Sequence, residues 1–298
     1  MLLVGPEDDF NTKIARGLGL KLVPLERRIF PDGEICPRVQ KEVRGSDVVL
    51  SLRMKSGVGK PNDYLLEVLF TLRNLRRHMG AGDITLIMPY FPYARQDAIF
   101  RTGEPLSPSY LAEMLEEAGA NSIVSVTVHL HRLGSFSEIF KKIKATNLSG
   151  FKALSESVKR LPLKDPFIIG PDTESIHWAR EFAQFYGIEE YDAFRKERDL
   201  ETGDIRTYIK EIDLKGRDVI VVDDMVSTGG TMANAVAAAR EMGARLVVSA
   251  FVHPILVSGS IDKIIGAGAD IIIATDTIEW RGSKASVTGD IIDTLRGG

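Results

Sequence analysis

Cysteine is nearly absent from this sequence, since its 298 residues include only Cys36. A single cysteine excludes an intrachain disulfide and a zinc site built from several cysteines, and we interpret Cys36 as a small packed residue in a loop. Long apolar runs are also missing. The longest, such as residues 269–275, are strand-sized and too short to span a bilayer. The N-terminus carries no apolar segment with a cleavage site, so we expect a cytoplasmic protein.

No charge of one sign dominates. The sequence has 38 lysines and arginines and 41 aspartates and glutamates, which gives a net charge of −3. Without a global basic field we expect no nucleic-acid or membrane partner, and any phosphate ligand needs a local site. Hydrophobic residues make up 44% and charged residues 27%, an ordinary balance for a soluble protein. The length indicates two α/β domains or one large one.

Short apolar runs alternate with helical patterns along the chain. The runs are continuous and rich in valine and isoleucine, which is typical of strands covered on both faces in a parallel sheet. Ser107 is a predicted helix cap with Pro108 in the first turn, and Gly119 ends that helix. A later helix is predicted over Thr231–Met242. The predicted strands are Asp47–Leu52, Ile84–Met88, Ile123–Val128, Phe167–Ile169, Val219–Val222, Leu246–Phe251 and Ile271–Ala274.

The two halves of the chain resemble each other. Val43–Val49 and Leu214–Ile220 share the pattern apolar-basic-Gly-x-Asp-apolar-apolar, and each is followed by a loop, a helix and a second strand. Two explanations remain open, a duplication or a common way of entering a strand. We predict an N-terminal domain over residues 1–147 and a C-terminal domain over residues 148–298.

The most informative segment joins a buried strand to a helix. Asp223 and Asp224 end the predicted strand, and a loop of small residues follows. Ligands of parallel sheets bind at the carboxyl ends of strands, and the N–H groups of such a loop attract anions. The loop has no lysine and so differs from the Walker P-loop. A plain helix-capping turn is the alternative, but the acids favour a sugar phosphate whose vicinal hydroxyls reach them. The loop residues are Ser227, Thr228, Gly229, Gly230 and Thr231.

This segment closely resembles the signature shared by phosphoribosyltransferases and phosphoribosyl diphosphate synthases. The resemblance implies an α/β fold with two similar phosphoribosyltransferase-like domains, each a mainly parallel sheet flanked by helices. It also implies that Asp223 and the loop hold the phosphate and ribose of ribose 5-phosphate, with Asp224 beside the hydroxyls.

Two further motifs resemble the synthase family. Phe30–Glu34 is similar to a loop that contacts the adenine nucleotide of a neighbouring subunit, although by itself it indicates only a turn. Pro89–Asp97 is similar to a loop that contacts ATP, although by itself it indicates an aromatic loop packed over a sheet edge. The residues that the resemblance assigns to ATP are Asp32, Gly33, Glu34, Arg95 and Gln96.

The family resemblance also implies Mg²⁺. His131 matches a histidine near the catalytic magnesium, whereas His129 stands where the family usually has aspartate. Asp172 follows a strand and matches a family acid, in keeping with the preference of magnesium for carboxylate oxygen. Glu174 lies where this chain departs from the family pattern, and its role stays open.

A charged stretch runs from Arg195 to Arg206. Its charge pattern by itself indicates a solvated β-hairpin. The resemblance implies that Lys196 and Arg198 lie on a mobile catalytic flap and neutralise charge in the transition state. Arg198 is also assigned to ribose 5-phosphate.

Together these motifs imply transfer of the β,γ-diphosphate of ATP to the C1 hydroxyl of ribose 5-phosphate, with AMP leaving. One alternative is a phosphoribosyltransferase, which would not need the ATP motifs. Another is a non-catalytic regulatory relative of the synthase, which would be expected to lose flap or loop residues. The Asp32–Glu34 loop implies a homo-oligomer, at least a dimer.

Overall fold

The coordinates are a computed structural model of the chain. For residues 196–198 and 205–208 the backbone alone is described. Among the described residues, no helix is both long and apolar enough to cross a membrane. The described residues are 1–57, 60–130, 132–198, 205–208 and 212–297.

The chain forms two compact units. Unit 1 comprises the described residues of Met1–Lys55, Gly59–Ser149 and Val287–Gly298, and unit 2 comprises those of Ser56–Val58 and Gly150–Ser286. The sequence prediction assigned residues 148–298 to a single domain, whereas residues 287–297 group with unit 1 in the structure.

Strands and helices alternate in both units. Over residues 1–149 they are β1 (Leu2–Gly5), α1 (Asp9–Leu18), β2 (Lys21–Ile29), β3 (Ile35–Val39), β4 (Val48–Ser51), α2 (Lys60–Arg77), β5 (Ile84–Ile87), α3 (Ser107–Ala118), β6 (Ser122–Val126), a 3₁₀ turn (Phe136–Ile139) and β7 (Lys144–Leu148). The following residues form α4 (Gly150–Val158), β8 (Pro166–Gly170), a 3₁₀ turn (Thr173–Ser175), α5 (Ile176–Tyr186), β9 (Tyr191–Ala193), β10 (Arg195–Arg198), β11 (Ile205–Tyr208), β12 (Asp218–Val226), α6 (Gly230–Glu241), β13 (Leu246–Pro254), α7 (Ser260–Gly266), β14 (Ile271–Ala274) and α8 (Thr288–Gly297).

Each unit is built on a sheet that is mainly parallel. Unit 1 has the strand order β3-β2-β1-β4-β5-β6-β7, in which β2 and β3 are antiparallel and the other neighbours are parallel. Unit 2 has the order β14-β13-β12-β8-β9, all parallel. The predicted α/β class is therefore confirmed. The continuous apolar runs are explained by β4 and β12, whose side chains are buried on both faces almost throughout.

The two sheets share one topology. The order β2-β1-β4-β5-β6 in unit 1 corresponds to β9-β8-β12-β13-β14 in unit 2. The turns that lead into β4 and β12 also match. Gly45 and Gly216 have left-handed φ values of 71° and 76°, and their N–H groups donate to the carbonyls of Gly80 and Gly243 over 2.8 and 2.9 Å. This agreement in hydrogen bonding favours duplication over a chance similarity of strand entries.

Some local predictions differ from the structure. The N-cap of α3 is Leu106 rather than Ser107, and it makes no side-chain capping hydrogen bond, while Gly119 does end the helix in the left-handed region. The helical spacing of Leu111, Met114, Leu115 and Ala118 predicts an apolar stripe, but Met114 is 45% exposed while the other three are buried. Cys36 lies on β3 and is exposed, so its interpretation as a packed loop residue is wrong.

Candidate active site

The strand order of unit 2 creates a crevice between β8 and β12. The chain leaves β8 through α5 towards β9 on one side and leaves β12 through α6 towards β13 on the other side. Such a switch point opens a crevice at the carboxyl ends of the two strands, where ligands of α/β sheets bind. Asp172 lies two residues after the end of β8, and Asp223 and Asp224 lie on the last part of β12. The sequence prediction ended this strand at these acids, whereas β12 continues to Val226.

Three carboxylates share this crevice. Asp223 is half-buried and Asp224 is 2% exposed, and the Asp224 N–H donates to Asp223 Oδ1 over 3.0 Å. Burial raises the pKa of Asp223 well above its usual range, and the neighbouring charges of Asp224 and Asp172 raise it further. Burial disfavours the charged form, and like charges add to that cost. The crevice therefore favours a bound cation or hydrogen-bond donors.

These acids fit a metal ion that is also bound by a substrate better than one that is bound by protein ligands alone. Within the described part of the chain, no group of three or more His, Cys, Asp or Glu side chains could hold a metal ion. Magnesium commonly uses one or two carboxylates together with substrate phosphates and water. The excess negative charge around Asp223 suits a cation of that kind, delivered with a phosphorylated substrate.

The loop after β12 contains two glycines in different settings. Gly229 precedes α6 with φ 75°, and a Cβ there would lie 2.7 Å from the Ser260 carbonyl oxygen. A Cβ on Gly230, the first residue of α6, would meet nothing nearer than Thr228 Oγ1 at 3.8 Å. Gly229 is therefore required by the fold, whereas Gly230 leaves open space at the helix N-terminus. Backbone N–H groups at a helix N-terminus attract anions, which fits the predicted role of this loop.

A lysine from a later helix adds positive charge beside this loop. Lys263 of α7 donates from Nζ to the Thr228 carbonyl over 3.2 Å. The Val257 N–H donates to the Ser227 carbonyl over 3.1 Å and so holds the loop against the segment before α7. Sequence reasoning missed Lys263, since no motif marks a residue 35 positions beyond the loop.

Asp172 is held by its own turn. The Ser175 hydroxyl lies 3.1 Å from the Asp172 amide nitrogen and donates to the Asp172 carbonyl over 2.6 Å. A Cβ on Gly170 would lie 2.5 Å from Ser175 Oγ, so the turn packs tightly against the end of β8. Glu174 is exposed on the same turn.

The predicted ATP residues of unit 1 lie in two places. Asp32, Gly33 and Glu34 form the exposed tip of the β2–β3 hairpin, where Gly33 has φ 94°. Arg95 and Gln96 follow β5. The strands β1 and β4 lie between β2 and β5, and adjacent strands are about 4.8 Å apart. The sheet thus keeps the two groups apart within one chain.

Gln96 is engaged within its own loop. Its side-chain amide donates to Glu104 Oε2 and to the Ala98 carbonyl, both at 3.0 Å. Tyr93, which precedes this turn, has a left-handed φ of 64°. Arg95 is exposed.

Asp97 ties together two loops at the carboxyl edge of unit 1. It is 2% exposed, and it accepts hydrogen bonds from the Arg132 backbone N–H at 2.8 Å and from the Arg132 guanidinium at 3.3 Å. The loop after β5 is thereby joined to the loop after β6. Sequence reasoning quoted Asp97 within a motif without giving it a role. In the second loop His129 is half-buried, and His131 lies outside the described residues.

The predicted flap residues lie on an antiparallel hairpin. Lys196 pairs with Thr207 and Arg198 with Ile205 across β10 and β11. This agrees with the hairpin that the charge pattern indicates. The side chains of Lys196 and Arg198 lie outside the described part of the chain.

An acidic strand end and a lysine-free loop at a switch point define an α/β protein of the phosphoribosyltransferase type. A domain model described as the N-terminal domain of ribose phosphate pyrophosphokinase matches residues 2–119, and the phosphoribosyl transferase domain model matches residues 140–284.

Relatives match over nearly the whole chain. A ribose-phosphate pyrophosphokinase of Methanothermobacter thermautotrophicus is 38% identical over 276 residues, covering 92% of both chains. One from Saccharolobus solfataricus is 34% identical over 300 residues, covering 99% of both. The crystal structure of phosphoribosylpyrophosphate synthetase from Mycobacterium smegmatis has a TM-score of 0.82 at 28% identity, and the match covers 99% of this chain and 97% of that one. The chain therefore belongs to the ribose-phosphate pyrophosphokinases, a family of enzymes, and the family inferred from its motifs is confirmed.

Proposed function

We propose that this chain is a ribose-phosphate diphosphokinase. The C1 hydroxyl oxygen of ribose 5-phosphate attacks the β-phosphorus of ATP and loses its proton, and the bond from the β-phosphorus to the bridging α,β-oxygen breaks. AMP leaves with that oxygen. The observation that carries the proposal is the crevice of unit 2, where acids on β12 adjoin an anion-binding loop. The family match over both domains supports it.

Ribose 5-phosphate is assigned to that crevice. The phosphate accepts hydrogen bonds from the backbone of the loop Ser227–Thr231 at the N-terminus of α6. The ribose hydroxyls donate to Asp223 and Asp224. Lys263, beside the loop, partly balances the charge that the phosphate brings. Neutral hydroxyl donors suit a carboxylate whose pKa is already raised by its neighbours.

ATP and Mg²⁺ are assigned to residues of the family motifs. Mg²⁺, when bound with the nucleotide, neutralises phosphate charge and orients the chain of phosphates. Asp172 is its proposed ligand, together with His131. Arg95 clamps a phosphate, and Gln96 contacts the nucleotide after exchanging its present bond to Glu104.

The flap supplies charge to the transition state. Lys196 and Arg198 close over the reacting phosphates, where fixed positive charge lowers the barrier without a dedicated base. Arg198 also contacts ribose 5-phosphate. Because the sheet separates Asp32–Glu34 from Arg95, we assign the hairpin tip to the ATP site of a second copy of the chain, in at least a dimer.

One assay tests the proposal. The protein is incubated with ATP, Mg²⁺ and ribose 5-phosphate, and AMP is measured against a reaction that lacks ribose 5-phosphate. Production of AMP that depends on ribose 5-phosphate is expected. Consumption of phosphoribosyl diphosphate with a free base would instead indicate a phosphoribosyltransferase. Absence of either reaction would indicate a regulatory relative.

A further inference from the structure

The loop that follows β5 is fixed to the connection between β6 and β7 at two points. β5 and β6 are neighbouring parallel strands, so their carboxyl ends lie at the same edge of the unit 1 sheet. The first point is apolar. Phe91 is buried, and its ring makes edge-to-face contacts with Phe136 and Phe140, whose ring centroids lie 5.2 and 6.3 Å away. The start of the loop is therefore held by aromatic packing.

The second point is ionic. Asp97 is buried, and both of its carboxylate oxygens accept hydrogen bonds from Arg132. The backbone N–H of Arg132 donates to Oδ2 over 2.8 Å, and its guanidinium donates to Oδ1 over 3.3 Å. The guanidinium carbon also lies 5.0 Å from the centroid of the Phe100 ring, within cation–π range. Arg132 therefore contacts two residues of the loop after β5.

Arg95 and Gln96, the residues assigned to ATP, lie between these two points in the sequence. Tyr93 shortly before them has φ 64°, a left-handed conformation that residues with a bulky side chain rarely adopt. Such a backbone conformation persists only where the surrounding structure holds it. The contacts of Phe91 and Asp97 on either side therefore restrict the positions that Arg95 and Gln96 can take.

Stability by itself does not require an ion pair at the second point. Only 1% of the Asp97 side chain is exposed, against 47% of the Arg132 side chain. Burying a charged group costs free energy that its partner returns only in part, and apolar residues can often replace such a pair without loss of stability. What the pair adds is direction, because the N–H groups of a guanidinium are fixed in one plane. This favours a role in placing the loop for its ligand.

We propose that Arg132 is a positioning residue for ATP. By holding Asp97 it keeps the loop in the geometry in which Arg95 and Gln96 meet the nucleotide, and it makes no contact with ATP itself. The proposal rests on the assignment of Arg95 and Gln96 to ATP. A loop that is ordered before its ligand arrives costs less free energy to immobilise on binding, so the role of Arg132 is seen in the affinity for ATP.

A mutant cycle in steady-state kinetics on the full-length protein tests the proposal. Arg132→Ala should raise the KM for ATP about tenfold and change the KM for ribose 5-phosphate by less than about twofold. Arg95→Ala/Gln96→Ala should also raise the KM for ATP, and adding Arg132→Ala to it should cause little further increase, because Arg132 acts through these two residues. Arg132→Lys keeps a positive charge for Asp97 and should recover part of the loss. The control Lys142→Ala removes an exposed cation of the same connection and should leave both KM values unchanged.

Asp97→Asn serves as a second variant and replaces Arg132→Ala in the cycle if the latter does not fold. Its amide oxygen still accepts the Arg132 backbone N–H, but the charge that pairs with the guanidinium is lost, so the KM for ATP should rise in the same way.

Three results would overturn the proposal. Additive losses in the cycle would show that Arg132 contacts ATP directly, and equal losses for both substrates would show a general loosening of the fold. A rise in the KM for ATP in Arg95→Ala/Gln96→Ala with none in Arg132→Ala would remove the positioning role alone. An unchanged KM for ATP in Arg95→Ala/Gln96→Ala would instead overturn the ATP assignment, and the positioning role with it.

Discussion

Asp223 illustrates a conflict between folding and binding at the scale of one residue. Its carboxyl group is half-buried next to two other carboxylates, which raises its pKa well above the usual range. A structural cap would gain nothing from that neighbourhood. Hydrogen bonds donated by a sugar would instead stabilise the charged carboxylate and so offset the cost of its burial beside the other two acids. Two predictions separate these roles.

The first concerns substrate binding. Asp223→Asn keeps the shape but removes the charge, so the KM for ribose 5-phosphate should rise about tenfold or more while the KM for ATP changes much less. Steady-state kinetics with each substrate varied measures both values. Asp262→Asn, at an exposed position on α7, is the control. Equal losses for both substrates would indicate a shared role in metal organisation, and unchanged kinetics would return Asp223 to a structural role.

The second concerns stability. Because the pKa of Asp223 is raised in the folded protein, the folded state retains a proton that the unfolded chain has released. Stability is therefore lost as the pH rises from the ordinary carboxyl pKa through the folded pKa. In EDTA without ligands, Asp223→Asn should have a higher Tm than the wild type at pH about 8, and the gain should shrink as the pH falls towards about 4. A gain that does not depend on pH would contradict the assignment.

At the scale of elements, the two glycines at the start of α6 are expected to differ in role. Gly229 is needed for folding, and Gly230 is needed for ligand binding. Gly229→Ala should destabilise the protein by about 1–3 kcal/mol, because φ is 75° and the new Cβ meets the Ser260 carbonyl. Gly230→Ala should leave the Tm unchanged or raise it, since its Cβ enters open space and alanine favours helices. The same Cβ would obstruct the phosphate, so the KM for ribose 5-phosphate should rise about tenfold. An unchanged KM in Gly230→Ala would place the phosphate elsewhere.

The β10–β11 hairpin carries the prediction for the flap. Lys196→Ala should lower kcat by about 10²–10³ with little change in the KM for ribose 5-phosphate, because charge that acts only in the transition state does not aid ground-state binding. Lys164→Ala, at an exposed position of the same unit, is the control. If kcat stays within a few-fold of the wild type and only KM rises, Lys196 is a binding residue.

At the scale of the whole molecule, the separation of the two ATP motifs within the unit 1 sheet predicts an oligomer that shares active sites. Light scattering should give a mass of at least a dimer, and a fully active monomer would contradict the assignment. Mixing Asp32→Asn/Glu34→Gln with Lys196→Ala should restore up to about a quarter of the activity, because mixed C2 dimers rebuild one intact site. Each variant alone is the control.

Much of the local structure could be predicted from the sequence. The loop Ser227–Thr231, the turn at Gly119 and the β10–β11 hairpin depend on residues close together in the chain, whose backbone preferences are local. Strand positions followed from continuous Val and Ile runs. The prediction of Ser107 as the helix cap was wrong, because the position of the cap depends on the backbone geometry of a single turn, which composition does not specify.

The remaining features depend on strand order. Lys263 reaches Thr228, Asp172 raises the pKa of Asp223, and Arg132 binds Asp97 because distant segments end at the same edge of a sheet. The family, and the loop that follows Asp223 and Asp224, could be inferred from sequence alone, since each motif is a continuous stretch of residues. Which charges meet one another required the tertiary structure, because Coulomb interactions depend on distance in space.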